Sequence, residues 1–207
     1  MPSVFKPLAA VAVALATLTG ASVAQAAACS ATAGFESFVG GASTDDVTLG
    51  GLDSTMCVIS GVNPAQGPDG NTSGFDGAFG GGWTLLSKGA GAGTVDGVNF
   101  TLGFSQADGT WSITTDQDAT YDLVFAMHAS DRSGAFMFDD FTSFASVTQS
   151  GTWAIEWLNN GGQVPGFSNI NFFVRDVVTP VPEPETYALM LAGLGALGLM
   201  ARRRRAS

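Results

Sequence analysis

The chain has a single histidine, His128, so a histidine-based nucleophilic triad would have to be built on that one side chain. His128 ends the apolar stretch Tyr121-Asp-Leu-Val-Phe-Ala-Met-His128 and precedes Ala129-Ser130-Asp131, the setting of a surface residue at a strand end. Two carboxylate pairs, Asp45-Asp46 and Asp139-Asp140, have the residue types of a glycosidase acid and base. That chemistry needs its carboxyls roughly 5–10 Å apart across a cleft. Neighbouring residues of a strand point to opposite faces, so an adjacent pair does not make the cleft by itself. Asp69-Gly-Asn71-Thr-Ser73-Gly74 copies the opening of a calcium-binding loop, with side-chain oxygens at the first, third and fifth positions and then the turn glycine. Its closing position is Gly80, where a bidentate glutamate belongs, so a turn closed by Asx-type bonds is the favoured reading. Asp116-Gln-Asp118 is a second acidic turn. No catalytic residue and no cofactor are assigned, and calcium at Asp69, Asn71 and Ser73 is kept only as a weak candidate.

Sugar-binding sandwiches use exposed aromatic side chains with polar partners, and Trp83, Trp111, Trp153, Trp157, Tyr121, Tyr187 and many phenylalanines are the supply here. A domain of this size needs most of them inside. Trp153, Ile155 and Trp157 would share one face of a strand, and that stripe reads as core before it reads as a platform. No repeated Thr-x-Thr rows of the kind an ice-binding surface needs stand out. Between Ala27 and Val181 the cations are Lys88, Arg132 and Arg175, against sixteen of the chain's 18 acidic residues. A body so anionic does not suit nucleic acid and should be repelled by anionic membrane surfaces.

The elements that would position these groups are strands. Val47–Leu49, Thr55–Ser60, Trp83–Lys88, Val98–Phe104, Trp111–Thr115, Asp122–Met127, Ala135–Phe141, Thr152–Leu158 and Ile170–Arg175 are short apolar or alternating runs separated by Gly/Asn/Asp/Ser clusters. No ten-residue run with helical periodicity competes. The fold class expected is all-β, an antiparallel sandwich or jelly roll over residues 27–178. Gly109-Thr-Trp111 and Gly151-Thr-Trp153 share a strand-entry device, with glycine relieving a turn and tryptophan plugging the core edge. Residues 61–82 are rich in turn formers and poor in apolar residues, and are expected to be a long, mobile surface loop.

Both ends carry targeting features. Lys6, the apolar stretch Leu8–Leu18 and the small residues Ala24-Gln25-Ala26 have the layout of a signal peptide over residues 1–26, cleaved after Ala26 or, alternatively, after Ala28. Cys29 and Cys57 then both enter an oxidising compartment and are expected to pair. Two free thiols, or acylation of Cys29, are the competing readings, although Ala26-Ala27-Ala28 lacks the bulky aliphatic residue of acylation sites. Residues 179–186 form a stiff Pro/Glu linker, and residues 187–201 are fifteen positions without charge. As a helix those fifteen reach about 22 Å, short of the ~30 Å hydrocarbon core, but local thinning and snorkelling arginines make up the difference. Arg202, Arg203, Arg204 and Arg205, within the basic tail 202–207, would act as the cytoplasmic stop of this transmembrane helix.

Pro182-Glu183-Pro184, a short Gly/Leu/Ala helix and an arginine cluster, in that order, resemble the PEP-CTERM sorting signal of Gram-negative bacteria, a segment family also labelled as an ice-binding protein C-terminal domain. The strong resemblance covers about the last 26 residues. A weaker one runs through Gly109-Thr110-Trp111-Ser112, Gly151-Thr152-Trp153 and the final strand Ile170–Arg175. The resemblance implies export across the inner membrane, a transiently membrane-anchored precursor and cutting near Pro182-Glu183-Pro184 by an exosortase, a membrane cysteine transpeptidase. It also implies delivery to the cell surface or extracellular matrix in association with exopolysaccharide and biofilm. It carries no catalytic residues for the body, which is expected to be non-enzymatic; a carbohydrate-binding module is the alternative, ahead of a hydrolase.

Overall fold

The computed structural model describes residues 26–180 together with 190 and 192–194, the latter four helical. Ala24 of the cleavage site, Pro182-Glu183-Pro184, most of 187–201 and Arg202–Arg205 lie outside the described residues. Among the described residues no helix is long and apolar enough to cross a membrane.

The body is all-β, as the alternating runs require. Its strands are β1 (Ser30–Ala31), β2 (Thr48–Leu49), β3 (Leu52–Asp53), β4 (Met56–Ser60), β5 (Thr84–Lys88), β6 (Gly91–Val95), β7 (Val98–Ser105), β8 (Thr110–Thr115), β9 (Ala119–Ala129), β10 (Arg132–Ser143), β11 (Gln149–Thr152) and β12 (Phe167–Val178). One sheet has the order β1-β4-β10-β9-β12-β5, a second β11-β8-β7-β6, and β2-β3 form a small hairpin. Pairing is antiparallel except between β1 and β4.

The central strand β9 is buried along both faces, and this dictates the rest of the packing. Tyr121, Leu123, Phe125 and Met127 point to one side, Val124 and Ala126 to the other. The first side is covered by the four-stranded sheet. Phe100 meets Tyr121 edge-on at 5.1 Å between ring centres, and Trp111 lies 4.9 Å from Phe125 and 5.7 Å from Phe172. The second side is covered by residues 61–82, a turn-rich surface segment whose packing onto the sheet its composition does not suggest. Within them α1 (Asp76–Phe79) buries Phe79, while Phe75, just before it, packs 5.4 Å from Phe173. Phe75 and Phe79 are four residues apart, so one helical turn places both rings on the same face. Polar ties fix the rest of the segment: the buried Asn171 side chain donates to the Pro64 carbonyl at 3.0 Å, and Lys88 Nζ donates to the Ala65 and Gly67 carbonyls at 3.2 and 2.5 Å. Gly70 has φ +75, and a Cβ there would stand 2.7 Å from the Phe173 ring, so only glycine lets the segment lie this close.

One carboxylate organises the far end of β9. Asp122 is buried, and its Oδ2 accepts from Arg175 Nε and Nη2, each at 2.8 Å. Its Oδ1 accepts from the Asp140 backbone N–H at 3.0 Å. Both neighbouring strands bulge here: β10 between Phe138 and Phe141, β12 between Arg175 and Val178. Asp140 and Asp176 take φ values of 49 and 51 at these bulges. Arg175 continues outward to the Phe79 carbonyl at 2.8 Å and lies 4.1 Å over the Trp83 ring. The bulge also alters an expectation: Asp139 and Asp140 do not alternate, and both are exposed.

The two Gly-Thr-Trp segments face each other across the β8–β11 pair, Thr110 opposite Thr152 and Trp111 opposite Gly151. A Cβ on Gly151 would stand 2.5 Å from Trp111 Nε1 and closer still to the Thr48 carbonyl, so glycine here makes room for the indole rather than for a turn. The expected strand Thr152–Leu158 ends at Thr152. Its continuation bonds to irregular turns, Ala154 N–H to the Asp46 carbonyl and Leu158 N–H to the Phe38 carbonyl, so no ladder forms. The burial alternation survives, with Trp157 fully buried and Trp153 and Ile155 partly buried against the core. The glycine-rich β6 has no apolar signature and was not anticipated.

Cys29 and Cys57 are joined, as expected, with Cα atoms 4.7 Å apart, and this bond sits beside the β1–β4 pairing. Cross-linking 28 positions apart restricts the unfolded chain, so reduction should lower stability by about 3–4 kcal/mol in urea unfolding. Asp122→Ala leaves Arg175 without its buried partner, and the same measurement should register a loss of about 3–5 kcal/mol.

Candidate functional site

The outer face of the four-stranded sheet is built from small polar side chains. Along β7 the outward positions are Asn99, Thr101, Gly103 and Ser105; along β8 they are Thr110, Ser112 and Thr114. Ser150 and Thr152 of β11, preceded by Thr148, continue the pattern. Register aligns them in rows: Thr101 opposite Thr114, Gly103 opposite Ser112 opposite Ser150, and Ser105 opposite Thr110 opposite Thr152. Thr114 and Thr148 hydroxyls are 2.8 Å apart, and Thr152 is 2.9 Å from Thr48 on the β2–β3 hairpin. The sequence therefore does hold paired Thr-x-Ser-x-Thr rows, 110–114 and 148–152, which strand-by-strand reading missed. The repeated Gly-Thr-Trp at the ends of both rows was the available signal.

This face is concave. A trough of about 630 Å³ runs over Gly103, Ser112 and Ser150, walled by Thr48 and Gly51 of the hairpin. A second depression of about 250 Å³, bordered by Asn99, Thr101, Thr114 and Ser146, lies at the other end of the same face. Asp116 sits at that end, with Oδ1 accepting from the Asn99 N–H at 2.9 Å and Oδ2 from the Asn99 side chain at 2.6 Å. Those bonds hold its carboxyl below the ordinary value.

Among the aromatic candidates for sugar contact, Trp111 and the half-buried Phe104 line the trough. Trp111 and Trp157 are buried, Trp153 stacks on Phe104 at 5.1 Å, and Trp83 lies under Arg175. His128 is not an exposed strand-end residue but a half-buried member of β9, its Nδ1 2.8 Å from Ser133 Oγ. Burial pushes its pKa below the ordinary value. Ser133 is itself buried. Arg132, also buried, bonds Asp131 at 2.8 Å and Asn160 at 2.7 Å and lies 4.0 Å over the Phe38 ring.

The carboxylate pairs do not form a cleft. Asp45 is exposed while Asp46 is buried, its Oδ2 accepting from the Ser43 N–H at 3.4 Å. Burial, reinforced by the negative charge of Glu156, pushes the Asp46 carboxyl up to about 7. Asp139 is also raised, first by desolvation and then by the neighbouring Asp122 charge. At the calcium candidate, Asn71 Oδ1 accepts from the Ser73 N–H at 3.1 Å and from Ser73 Oγ at 2.7 Å, an Asx-type turn that occupies two of the three proposed ligands. No group of three or more His, Cys, Asp or Glu side chains able to hold a metal occurs among the described residues.

Because the folded Asp46 holds its proton up to about pH 7 and an unfolded aspartate only to about pH 4, the native state binds the extra proton between those values. Stability should therefore fall as pH rises through that window. Comparing urea midpoints at pH 5 and pH 8, the wild type should lose about 2 kcal/mol more than Asp46→Asn.

Neither a curated protein nor a solved structure matches the chain significantly. Over residues 180–205 the chain carries the PEP-CTERM protein-sorting motif, a signal for export and for processing by an exosortase.

Proposed function

We propose that this is a non-enzymatic cell-surface or extracellular-matrix protein of a Gram-negative bacterium. The signal peptide carries it across the inner membrane, and residues 187–201 hold it there with Arg202–Arg205 on the cytoplasmic side. An exosortase then cuts near Pro182-Glu183-Pro184, and the released body associates with exopolysaccharide in a biofilm matrix. The single observation that supports this reading is the sorting motif over residues 180–205. The body is built to match: β12 ends at Val178, so cutting after it leaves every strand intact. The Cys29–Cys57 bond suits an oxidising compartment.

The test is terminal mapping of the mature protein by mass spectrometry. The exported form should begin at or near Ala27 and lack Arg202–Arg205. Deleting residues 182–207 should abolish processing and surface display. An exported protein that keeps its arginines, or a deletion without effect on display, would sink the proposal.

A further inference from the structure

We propose that the outer face of the β6–β7–β8–β11 sheet docks a neutral polysaccharide chain, seated in the trough over Gly103, Ser112 and Ser150. This deepens the matrix reading above by naming where and what the body binds, and it can fail while the sorting reading stands.

The chemistry of the face selects the ligand class. Its rows are hydroxyls and one amide, with Asp116 at one end already bonded to Asn99. A hydroxyl is both donor and acceptor, and those engaged with each other, Thr114 with Thr148 and Thr48 with Thr152, retain acceptor capacity. Covering such a surface is favourable only if the ligand returns hydrogen bonds of both kinds, because a desolvated polar group left unmatched costs about 1–3 kcal/mol. A polyhydroxylated chain does so. A polyanion finds no cation here and meets the negative field of the body. A protein partner would want a protruding aromatic or arginine anchor at the centre, yet Phe100 is buried, Trp111 reaches the trough only at the edge of a ring packed in the core, and Phe104 beside it is half-buried.

Geometry adds to this. Strands stand about 4.8 Å apart and alternate residues about 6.7 Å apart, so the rows form a grid that a repeating ligand can follow. The trough and the smaller depression lie at opposite ends of β7 and β8 on one face, which suits an extended chain running along these strands rather than a compact molecule. The missing side chain at Gly103 makes the floor, where a Cβ would stand 2.5 Å from Ser112 Oγ.

The full chain, purified in an uncharged detergent, is run in native gels containing hydroxyethylcellulose, dextran or galactomannan, with alginate as the polyanionic control. Retardation in at least one neutral gel is expected, weakened tenfold or more by Ser150→Glu and by Ser112→Glu. Val164→Glu, the same charge change on an exposed loop, should keep it. Ser150 is exposed, so its variant remains informative if Ser112→Glu folds poorly. Unchanged migration in all three neutral gels, retardation that survives both face variants, or retardation in alginate alone overturns the proposal. So does self-association abolished by Ser150→Glu without polysaccharide binding, or shaping of ice crystals without retardation; these outcomes give the face to a second copy or to ordered water.

Discussion

The Asp122 carboxylate is the point from which the six-stranded sheet is held in shape. It lies in a strand buried on both faces, where an unpaired charge is unfavourable by several kcal/mol. Arg175 on one neighbour and the Asp140 N–H on the other satisfy it. Both contacts occur where the neighbouring strands take in an extra residue, so the carboxylate also sets where β10 and β12 bend. Arg175 then passes the constraint outward to the Phe79 carbonyl and the Trp83 ring. Removing the pair therefore disturbs the cover of the sheet as well as its register.

That cover depends on a scarce resource. The body has only three cations, and each is engaged with the protein itself. Lys88 and Arg175 both hold residues 61–82, through the carbonyls of Ala65, Gly67 and Phe79. Arg132 joins the turn carrying Phe35 and Phe38 to the loop carrying Asn160. With its cations committed inward, the body offers a surface whose free charges are mostly carboxylates. Such a surface resists self-association and contact with anionic polymers, and specific recognition is left to groups without charge.

Strand positions were legible because alternation of apolar and polar residues reports directly on half-buried sheets, and β4, β5, β7 and β8 fall within a residue or so of expectation. Residues 61–82 misled because composition averages over twenty positions, whereas two rings on one helical turn decide where the segment lies. Thr152–Leu158 misled for the opposite reason: it alternates correctly but has turns, not a strand, beside it. Asp122 could not be recognised as an organiser, since its partners lie 18 and 53 residues away. The hydroxyl face was missed because Thr, Ser and Gly are also turn formers. Only the register of β8 with β11 reveals that rows 110–114 and 148–152 stand side by side.

Sorting and recognition are separable in this architecture. The strand that leads to the tail, β12, belongs to the six-stranded sheet, while the hydroxyl face is the outward surface of the opposite layer. A body tethered through β12 would keep that face free of the tether. The tail also carries four of the chain's eight basic residues, Arg202–Arg205. Cutting near Pro182 removes all four while taking away only Glu183 and Glu185 from the acidic side. A body cut there would be more anionic than its precursor, which deepens the repulsion that keeps it from anionic surfaces.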